Sequence, residues 1–204
     1  MPATNPLRHQ DRRSTPSPYP SGPQEEIVAP KPSYCIWGID PGQTGCLAVL
    51  TPTGPSFLDF TTPTDLLPKI IALSALNPDL VVLERIQKAP RDNSRTATTF
   101  LHNSGWWRGV LDTLFPSLWI LVWPQTWMAF HKLPAKTGPT DKERSLIYLH
   151  AKHPLLSDTP GLALKKHHNR ADALLMALYG QHLLRDDPLK LDDMLKETQN
   201  RREA

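Results

Sequence analysis

From Tyr34 onward, short apolar runs alternate with longer amphipathic stretches, as they do in α/β proteins. The runs "YCIWGID", "GCLAVL" and "SFLDF" are separated by turns rich in Pro and Gly, which predicts an antiparallel meander of three strands. The next stretch, "TDLLPKIIALSAL", has apolar residues at helical spacing, with Pro68 near its first turn. The run "DLVVLE" is apolar up to its last residue, as expected of a central strand that is covered on both faces.

The second half of the chain continues this alternation. A helix is predicted from about 95 to 115, followed by a fifth strand in "LWILVWP". Short helices are predicted at 124–130 and 140–152, the latter beginning with a Thr-Asp-Lys-Glu capping pattern, and a last helix at 169–184. The predicted fold is α/β, with a mixed five-stranded sheet, a three-strand antiparallel meander plus two parallel strands, flanked by helices.

The two ends of the chain differ in composition from its middle. Residues 1–33 hold eight of the 22 prolines and almost no large apolar side chains, so we expect a disordered Pro-rich arm. Residues 185–204 are rich in charge with sparse Leu and Met, and we expect a charged tail or a loosely docked helix. The 204 residues therefore predict one domain, at 34–184, between two tails.

The positive charge is concentrated in one part of the sequence. The net charge is only +3, but residues 85–170 contain 13 Lys or Arg against five Asp or Glu. A solvated surface would explain a milder excess, whereas this local surplus favours a polyanionic partner, which indicates nucleic acid. No run of about 18 apolar residues occurs, so no membrane-spanning helix is expected.

Three carboxylates stand at the ends of predicted elements: Asp40 ends strand one, Glu84 ends strand four, and Asp172 opens the last helix. After a three-strand meander and a helical crossover, strand four can return parallel to strand one, which would bring Asp40 and Glu84 to the same end of the sheet. Carboxylates held close repel each other unless a cation lies between them, and an all-oxygen set suits Mg²⁺ or Mn²⁺. The alternative is that each acid acts separately, in a turn, at a strand end and at a helix start.

The motifs "GIDPGQTG", "VVLER" and "NRADALLMALYG" occur in this order, and "PQTW" follows the fifth predicted strand. In this set of motifs the sequence resembles the RuvC-type Holliday junction resolvases of the RNase H-like superfamily, over about 34–184. The resemblance is nearest to the branch of plant-organelle and phage-type resolvases, and it implies an RNase H-like fold.

The resemblance implies a structure-selective DNA endonuclease that resolves four-way (Holliday) junctions by symmetric phosphodiester hydrolysis. It implies that Asp40, Glu84 and Asp172 bind two Mg²⁺ ions per active site, with Mn²⁺ as a substitute, and that the enzyme is a homodimer. The family usually has another acid of the metal site where this chain has Asn169; an amide can still hold a metal-bound water, but it adds no charge to the site. His168, four residues before Asp172, is a candidate to orient the attacking water or to bind one ion, and the alternative is a contact to phosphate.

The resemblance also implies a set of residues that contact DNA. Lys142 is a candidate to protonate the leaving oxygen or to stabilise its charge, against the alternative of a solvated helix lysine. The candidate contacts to the DNA backbone are basic residues near the three acids: Arg85, Lys88, Arg91, Arg95, Lys136, Arg144, Lys165, Lys166, His167 and Arg170.

Alternatives to a junction resolvase remain. Asn169 permits a non-catalytic junction-binding relative of the same fold, and other branched DNA is a further substrate class for a nuclease. The turn "DPGQTG" is also similar to the phosphate loop of actin-like ATPases and sugar kinases, but that architecture needs about twice this length. We expect a cytoplasmic, nucleoid-associated protein rather than a plastid one. Cys35 and Cys46 lie too far apart in the predicted hairpin to form a disulfide.

Overall fold

The computed structural model describes residues 34–42, 44–86, 94–134 and 143–203. Five strands form one sheet in the order β3-β2-β1-β4-β5. Strand β1 (Ile36–Asp40) pairs antiparallel with β2 (Cys46–Thr51), which pairs antiparallel with β3 (Gly54–Asp59). On its other side β1 pairs in parallel with β4 (Leu80–Glu84), and β4 pairs in parallel with β5 (Trp119–Val122). The predicted mixed five-stranded sheet and its meander are confirmed.

Seven α-helices and a short 3₁₀ helix (Lys165–His167) are present in the described part of the chain. Helix α1 begins after Thr62, whose side chain accepts a hydrogen bond from the backbone N–H of Asp65. Helix α2 connects β4 to β5 and is the longest. The bounds are α1 Pro63–Ser74, α2 Ser94–Leu114, α3 Pro124–Phe130, α4 Arg144–Lys152, α5 Pro154–Ser157, α6 His168–Asp186 and α7 Pro188–Glu203.

The sheet has a core on each face because successive strand residues point to opposite sides. On one face Ile36 and Val82 pack against α6, together with residues of α3 and α4. On the other face Trp37 and Leu83 pack against α1 and α2. The two faces are thus covered by different helices, as the apolar run of β4 predicts.

Helix α6 lies unusually close to β1, and Gly38 makes this approach possible. A Cβ at position 38 would lie 2.6 Å from the backbone nitrogen of Ala177 and closer still to the carbonyl oxygen of Ala173. Any larger residue would therefore push the helix away from the sheet. This contact fixes the height of α6 above β1, and with it the position of the helix's first turn.

The end of the chain forms a docked helix. Along α7, Leu191 is 7% exposed and Thr198 is 3% exposed. The Thr198 hydroxyl accepts a hydrogen bond of 3.1 Å from the backbone N–H of Leu121, on the outer edge of β5. Helix α5 was not predicted from sequence, since its single turn lies in a stretch broken by Pro and His.

Several sequence predictions fall outside the described residues. These are the disorder of residues 1–33, the capping pattern before α4, and the roles of Lys88, Arg91, Lys136 and Lys142. Both cysteines are free, as predicted, with Cys46 buried and Cys35 half-buried. Within the described ranges, no helix is both long enough and apolar enough to cross a bilayer.

Candidate active site

Asp40 and Glu84 end two neighbouring parallel strands at the same end of the sheet. The last paired residues of these strands are Ile39 and Leu83, and each carboxylate comes directly after one of them. Neighbouring strands lie about 4.8 Å apart. Asp40 comes four residues after Ile36, and Glu84 comes two residues after Val82. Because strand side chains alternate between the two faces, both acids point to the same face as Ile36 and Val82, which face α6. The strand register therefore directs both carboxylates to the α6 side of the sheet.

Asp172 comes to this end of the sheet on the first turns of α6. Its negative charge acts on Asp40, so the two carboxylates are close enough to interact. Burial, followed by the charge of Asp172, raises the pKa of Asp40 to about 7, and the N–H of Gly42 opposes this rise. Two acids more than 130 positions apart in the sequence thus form one electrostatic unit.

A neutral hydrogen-bond donor holds each of the three carboxylates. The backbone N–H of Gly42, in the turn after β1, donates to Asp40 Oδ1 over 2.9 Å. The indole N–H of Trp127 donates to Glu84 Oε1 over 3.0 Å, and the hydroxyl of Ser145 donates to Asp172 Oδ1. Trp127 and Ser145 are themselves buried in the core on this face, so the orientations of both acids are set by packed elements.

The donor set fits a hard divalent cation in its chemistry, although the three acids do not form a closed cage. Among the described residues, no group of three His, Cys, Asp or Glu side chains is arranged so that it could hold a metal ion. The interacting pair is Asp40 and Asp172, with Glu84 on the adjacent strand. Carboxylate oxygens are the ligands that Mg²⁺ prefers, and a cation would relieve the repulsion that raises the pKa of Asp40.

Asn169 ties the start of α6 to the turn between β1 and β2. Its Nδ2 donates to the hydroxyl oxygen of Thr44 over 2.8 Å and to the carbonyl oxygen of the same residue. Its Oδ1 is therefore the atom that could face a metal. His168 is the first residue of α6 and lies one helical turn before Asp172, so the two share a helix face.

The predicted DNA-contacting residues differ in what they touch. The guanidinium of Arg85 lies 3.8 Å over the ring of Trp123. Arg144 donates to the carbonyl oxygen of Pro134 over 3.1 Å and contacts Met128, so it has a structural role. Arg170 forms an ion pair with Asp59, with Nε donating over 2.7 Å.

The other basic residues of that set either make fewer contacts or have side chains outside the described part of the structure. Lys166 is exposed, and His167 is half-buried with a lowered pKa because of burial and the nearby charges of Arg170 and Lys166. The side chains of Arg95 and Lys165 lie outside the described atoms, although the backbone of Arg95 is in α2 and that of Lys165 is in the 3₁₀ helix before α6.

Sequence reasoning missed the residues that orient the acids. Trp127 is both buried and the hydrogen-bond donor to Glu84. Its place in the "PQTW" motif was the available signal. Ser145 and Thr44 carry no signal of their own, because a serine or threonine near a turn is common and its partner is distant in sequence.

No protein-family model matches the chain, and no curated protein matches it either. Among solved structures, a Thermus thermophilus RuvC in complex with a Holliday junction substrate is 16% identical, with a TM-score of 0.48 over 74% of this chain and 95% of that one. A second T. thermophilus RuvC structure gives the same values. The yeast mitochondrial Holliday junction resolvase Ydc2 is 14% identical, with a TM-score of 0.45 over 83% of each chain. RuvC-type Holliday junction resolvases are thus among the solved structures to which this chain is similar, and the sequence motifs resemble the same group.

Proposed function

We propose that this protein is a structure-selective endonuclease that cuts four-way DNA junctions by hydrolysing phosphodiester bonds with a divalent cation. The observation that carries the proposal is the convergence of Asp40 and Asp172, with Glu84 on the adjacent strand, at one end of the sheet. A half-buried pair of repelling carboxylates is costly for a fold to keep unless it has a cationic partner. The concentration of basic residues in 85–170 supports a polyanionic substrate.

Each residue of the site has a distinct part in this proposal. Asp40, Glu84 and Asp172 would hold two Mg²⁺ ions, with Asn169 Oδ1 as a further ligand. Bound there, the cations would lower the pKa of an attacking water and stabilise the charge of the leaving oxygen. His168 would accept a proton from that water, and Lys142 would donate one to the leaving oxygen. Trp127 and Ser145 keep Glu84 and Asp172 in fixed orientations.

The experiment compares an end-labelled synthetic four-way junction with a linear duplex of the same sequence, in Mg²⁺. The wild type should nick the junction in two strands of like polarity and leave the duplex intact. Asp40→Asn, Glu84→Gln and Asp172→Asn should each lose at least about 100-fold in cleavage rate, since loss of a group that only hydrogen-bonds to a metal ligand already costs about 10–100-fold. The matched control is Asp193→Asn, at an exposed residue of α7, which should cleave as the wild type does.

A non-catalytic junction-binding protein is the second candidate. It is favoured by Asn169, which adds no negative charge to the site and whose amide nitrogen is committed to Thr44. Binding of the junction without nicks in either Mg²⁺ or Mn²⁺ would establish this candidate and contradict the nuclease. Cleavage of flaps or replication forks in preference to four-way junctions would instead move the substrate to another branched DNA.

Two like nicks across a junction require two active sites, so we propose a homodimer. On α2, Trp107 and Leu111 are buried against the sheet, while a Cβ added at Gly105 or Gly109 would have no described atom outside the neighbouring helix backbone within 4 Å. Sedimentation equilibrium of the wild type should give twice the chain mass. A monomer at micromolar concentration that still cuts both strands would contradict the dimer.

A further inference from the structure

A second basic feature lies apart from the carboxylates. A cleft of about 380 Å³ opens between the end of β4, helix α2 and helix α7. Of the seven described residues that line it, three are arginines and none is acidic; the arginines are Arg85, Arg108 and Arg201. Ser104 and Leu101, both on α2, form part of its wall. This feature is the arginine cleft.

The arginine cleft is on the opposite face of the sheet from the acids. Leu83 faces the core under α2, whereas Val82 faces α6. The N–H of Arg85 donates a 2.7 Å hydrogen bond to the carbonyl oxygen of Val122, which continues the pairing of β4 with β5 by one residue. Arg85 therefore has its side chain on the same face of the sheet as Leu83, two residues earlier. Glu84 and Arg85 are neighbours in sequence but are directed to opposite sides of the same sheet end.

Packing holds two of the arginines in place. The guanidinium of Arg85 stacks 3.8 Å from the ring centre of Trp123, which leaves its edge N–H groups for an acceptor. Arg201 contacts Glu197, one helical turn earlier, at 2.6 Å. The next residue, Arg202, anchors this end of α7, since it lies 4.5 Å over Trp119 and 2.9 Å from Asp112.

Among the described residues around the cleft, positive charge is in excess. Arg85, Arg108 and Arg201 line it, and Glu197, which does not line it, is paired with Arg201 at 2.6 Å. Like charges held together by packing cost free energy unless an anion joins them. Arginines bind phosphate through two parallel N–H groups, and a cleft with three of them and a hydroxyl matches a phosphate's several acceptor oxygens.

We propose that the arginine cleft binds a phosphodiester group of DNA, at a distance from the phosphate that is cut. The proposal depends on the proposed function only in naming DNA as the source of the phosphate. It assigns to Arg108 and Arg201 a role in holding substrate on the face of the sheet away from the acids. The role is to position DNA, since a phosphate contact carries no base sequence information.

The test measures the affinity of the full chain for a fluorescent four-way junction in EDTA, at several salt concentrations. EDTA removes divalent ions, so the junction stays uncut during the measurement. The measured affinity then does not depend on a cation bound by the three carboxylates. The double variant Arg108→Gln/Arg201→Gln should bind at least about tenfold more weakly, because hydrogen bonds to charged groups are among the strong ones. The slope of log affinity against log salt should fall in magnitude by about 1 to 2.

A matched control lies on the same helix. Lys196 contacts Asp192 one turn earlier, as Arg201 contacts Glu197, but Lys196 does not line the cleft. Lys196→Gln should therefore bind the junction with wild-type affinity and slope. Should the double variant fail to fold, Arg201→Gln alone, in which a 40% exposed side chain is replaced, is measured in its place, with a proportionally smaller loss expected.

Wild-type affinity and slope in the folded variant would overturn the proposal. It would also be overturned if millimolar inorganic phosphate raised the melting temperature of the wild type but not of the double variant, while DNA affinity stayed equal, since the ligand would then be free phosphate. Cleavage is assayed in parallel to separate the two proposals. A wild type that cuts junctions while the variant binds normally contradicts the cleft alone, and a protein that never cuts but loses affinity in the variant contradicts the nuclease alone.

Discussion

At the scale of single residues, Gly38 is a position where one added methyl group would have a large effect. Its missing Cβ lets the backbone of α6 contact β1, and α6 carries Asp172. Gly38→Ala should destabilise the fold by about 2 kcal/mol through overpacking. The midpoint of thermal unfolding should fall by about 4–8 °C. Cleavage should fall as well, because a displaced α6 moves Asp172 away from Asp40.

Gly105→Ala is the matched control for this substitution. Position 105 is inside α2, and apart from the neighbouring helix backbone no described atom lies within 4 Å of a Cβ there. An alanine there should leave the fold as stable or stabilise it by about 0.5–1 kcal/mol, because alanine favours helix more than glycine does. Equal melting temperatures for Gly38→Ala and wild type would contradict the close approach of α6.

His131 is a second residue whose burial has a measurable effect. It is 3% exposed, and its Nε2 lies 2.8 Å from the carbonyl oxygen of Leu175, so the neutral ring donates this hydrogen bond. Burial lowers the pKa of His131 to about 4, and the charges of His153 and His182 act in the same direction. In the unfolded chain this histidine has its ordinary pKa of about 6.5. Between about pH 4 and pH 6.5 the unfolded state therefore binds more protons than the folded state.

The fold is therefore expected to lose stability as the pH falls from about 6.5 to about 4. Between pH 7 and pH 4.5 this residue should lower the free energy of unfolding by about 2 kcal/mol. His131→Gln keeps a donor for Leu175 but does not titrate, so its stability should change less over this range. Urea unfolding at both pH values measures the difference, and parallel losses in the two proteins would rule out His131 as the source.

At the scale of elements, α7 is held to β5 by a hydrogen bond that can be removed on its own. The Thr198 hydroxyl accepts from the N–H of Leu121 and donates to the carbonyl oxygen of Met194 over 2.8 Å. Thr198→Val leaves the N–H of Leu121 without this acceptor, which should cost about 1–3 kcal/mol. Thr198→Ser keeps the hydroxyl and should unfold within about 1 kcal/mol of the wild type in urea. Equal losses in the two variants would show that the methyl group matters rather than the hydrogen bond.

The elements themselves could largely be predicted from sequence. The strands were readable because the apolar runs before Asp40 and Glu84 are short, end sharply and are separated by turn residues. Helix α7 was harder to predict, since only Leu191, Met194, Leu195 and Thr198 meet the core among many charges. Its docking depends on partners in β5, almost 80 positions away, which no local pattern reveals.

At the scale of the whole molecule, cation binding should appear as added stability. A ligand that binds only the folded state at 100 times its dissociation constant stabilises that state by about 2.7 kcal/mol. Mg²⁺ should therefore raise the melting temperature of the wild type by about 5–10 °C. Asp40→Asn and Asp172→Asn should respond much less, because each removes one oxygen ligand and the mutual repulsion. An equal rise in these variants would place the ion elsewhere.

More of the placement of the three acids could be predicted from sequence than of the side chains that surround them. Strand order alone sets Asp40 beside Glu84, since a helical crossover makes β1 and β4 parallel neighbours. The interaction of Asp172 with Asp40 follows from the packing of α6 against β1. The donors Trp127 and Ser145 could not be predicted, because side-chain partners across helices depend on exact packing rather than on pattern.

The docking of α7 also bears on solubility. Strand β5 is at one border of the sheet, and its backbone would otherwise be open to a strand from another molecule. Thr198 occupies one of those backbone groups, and the helix covers the border. A chain cut before Pro188 would lose this cover and expose β5, so it should aggregate by strand pairing even where the remaining core still folds.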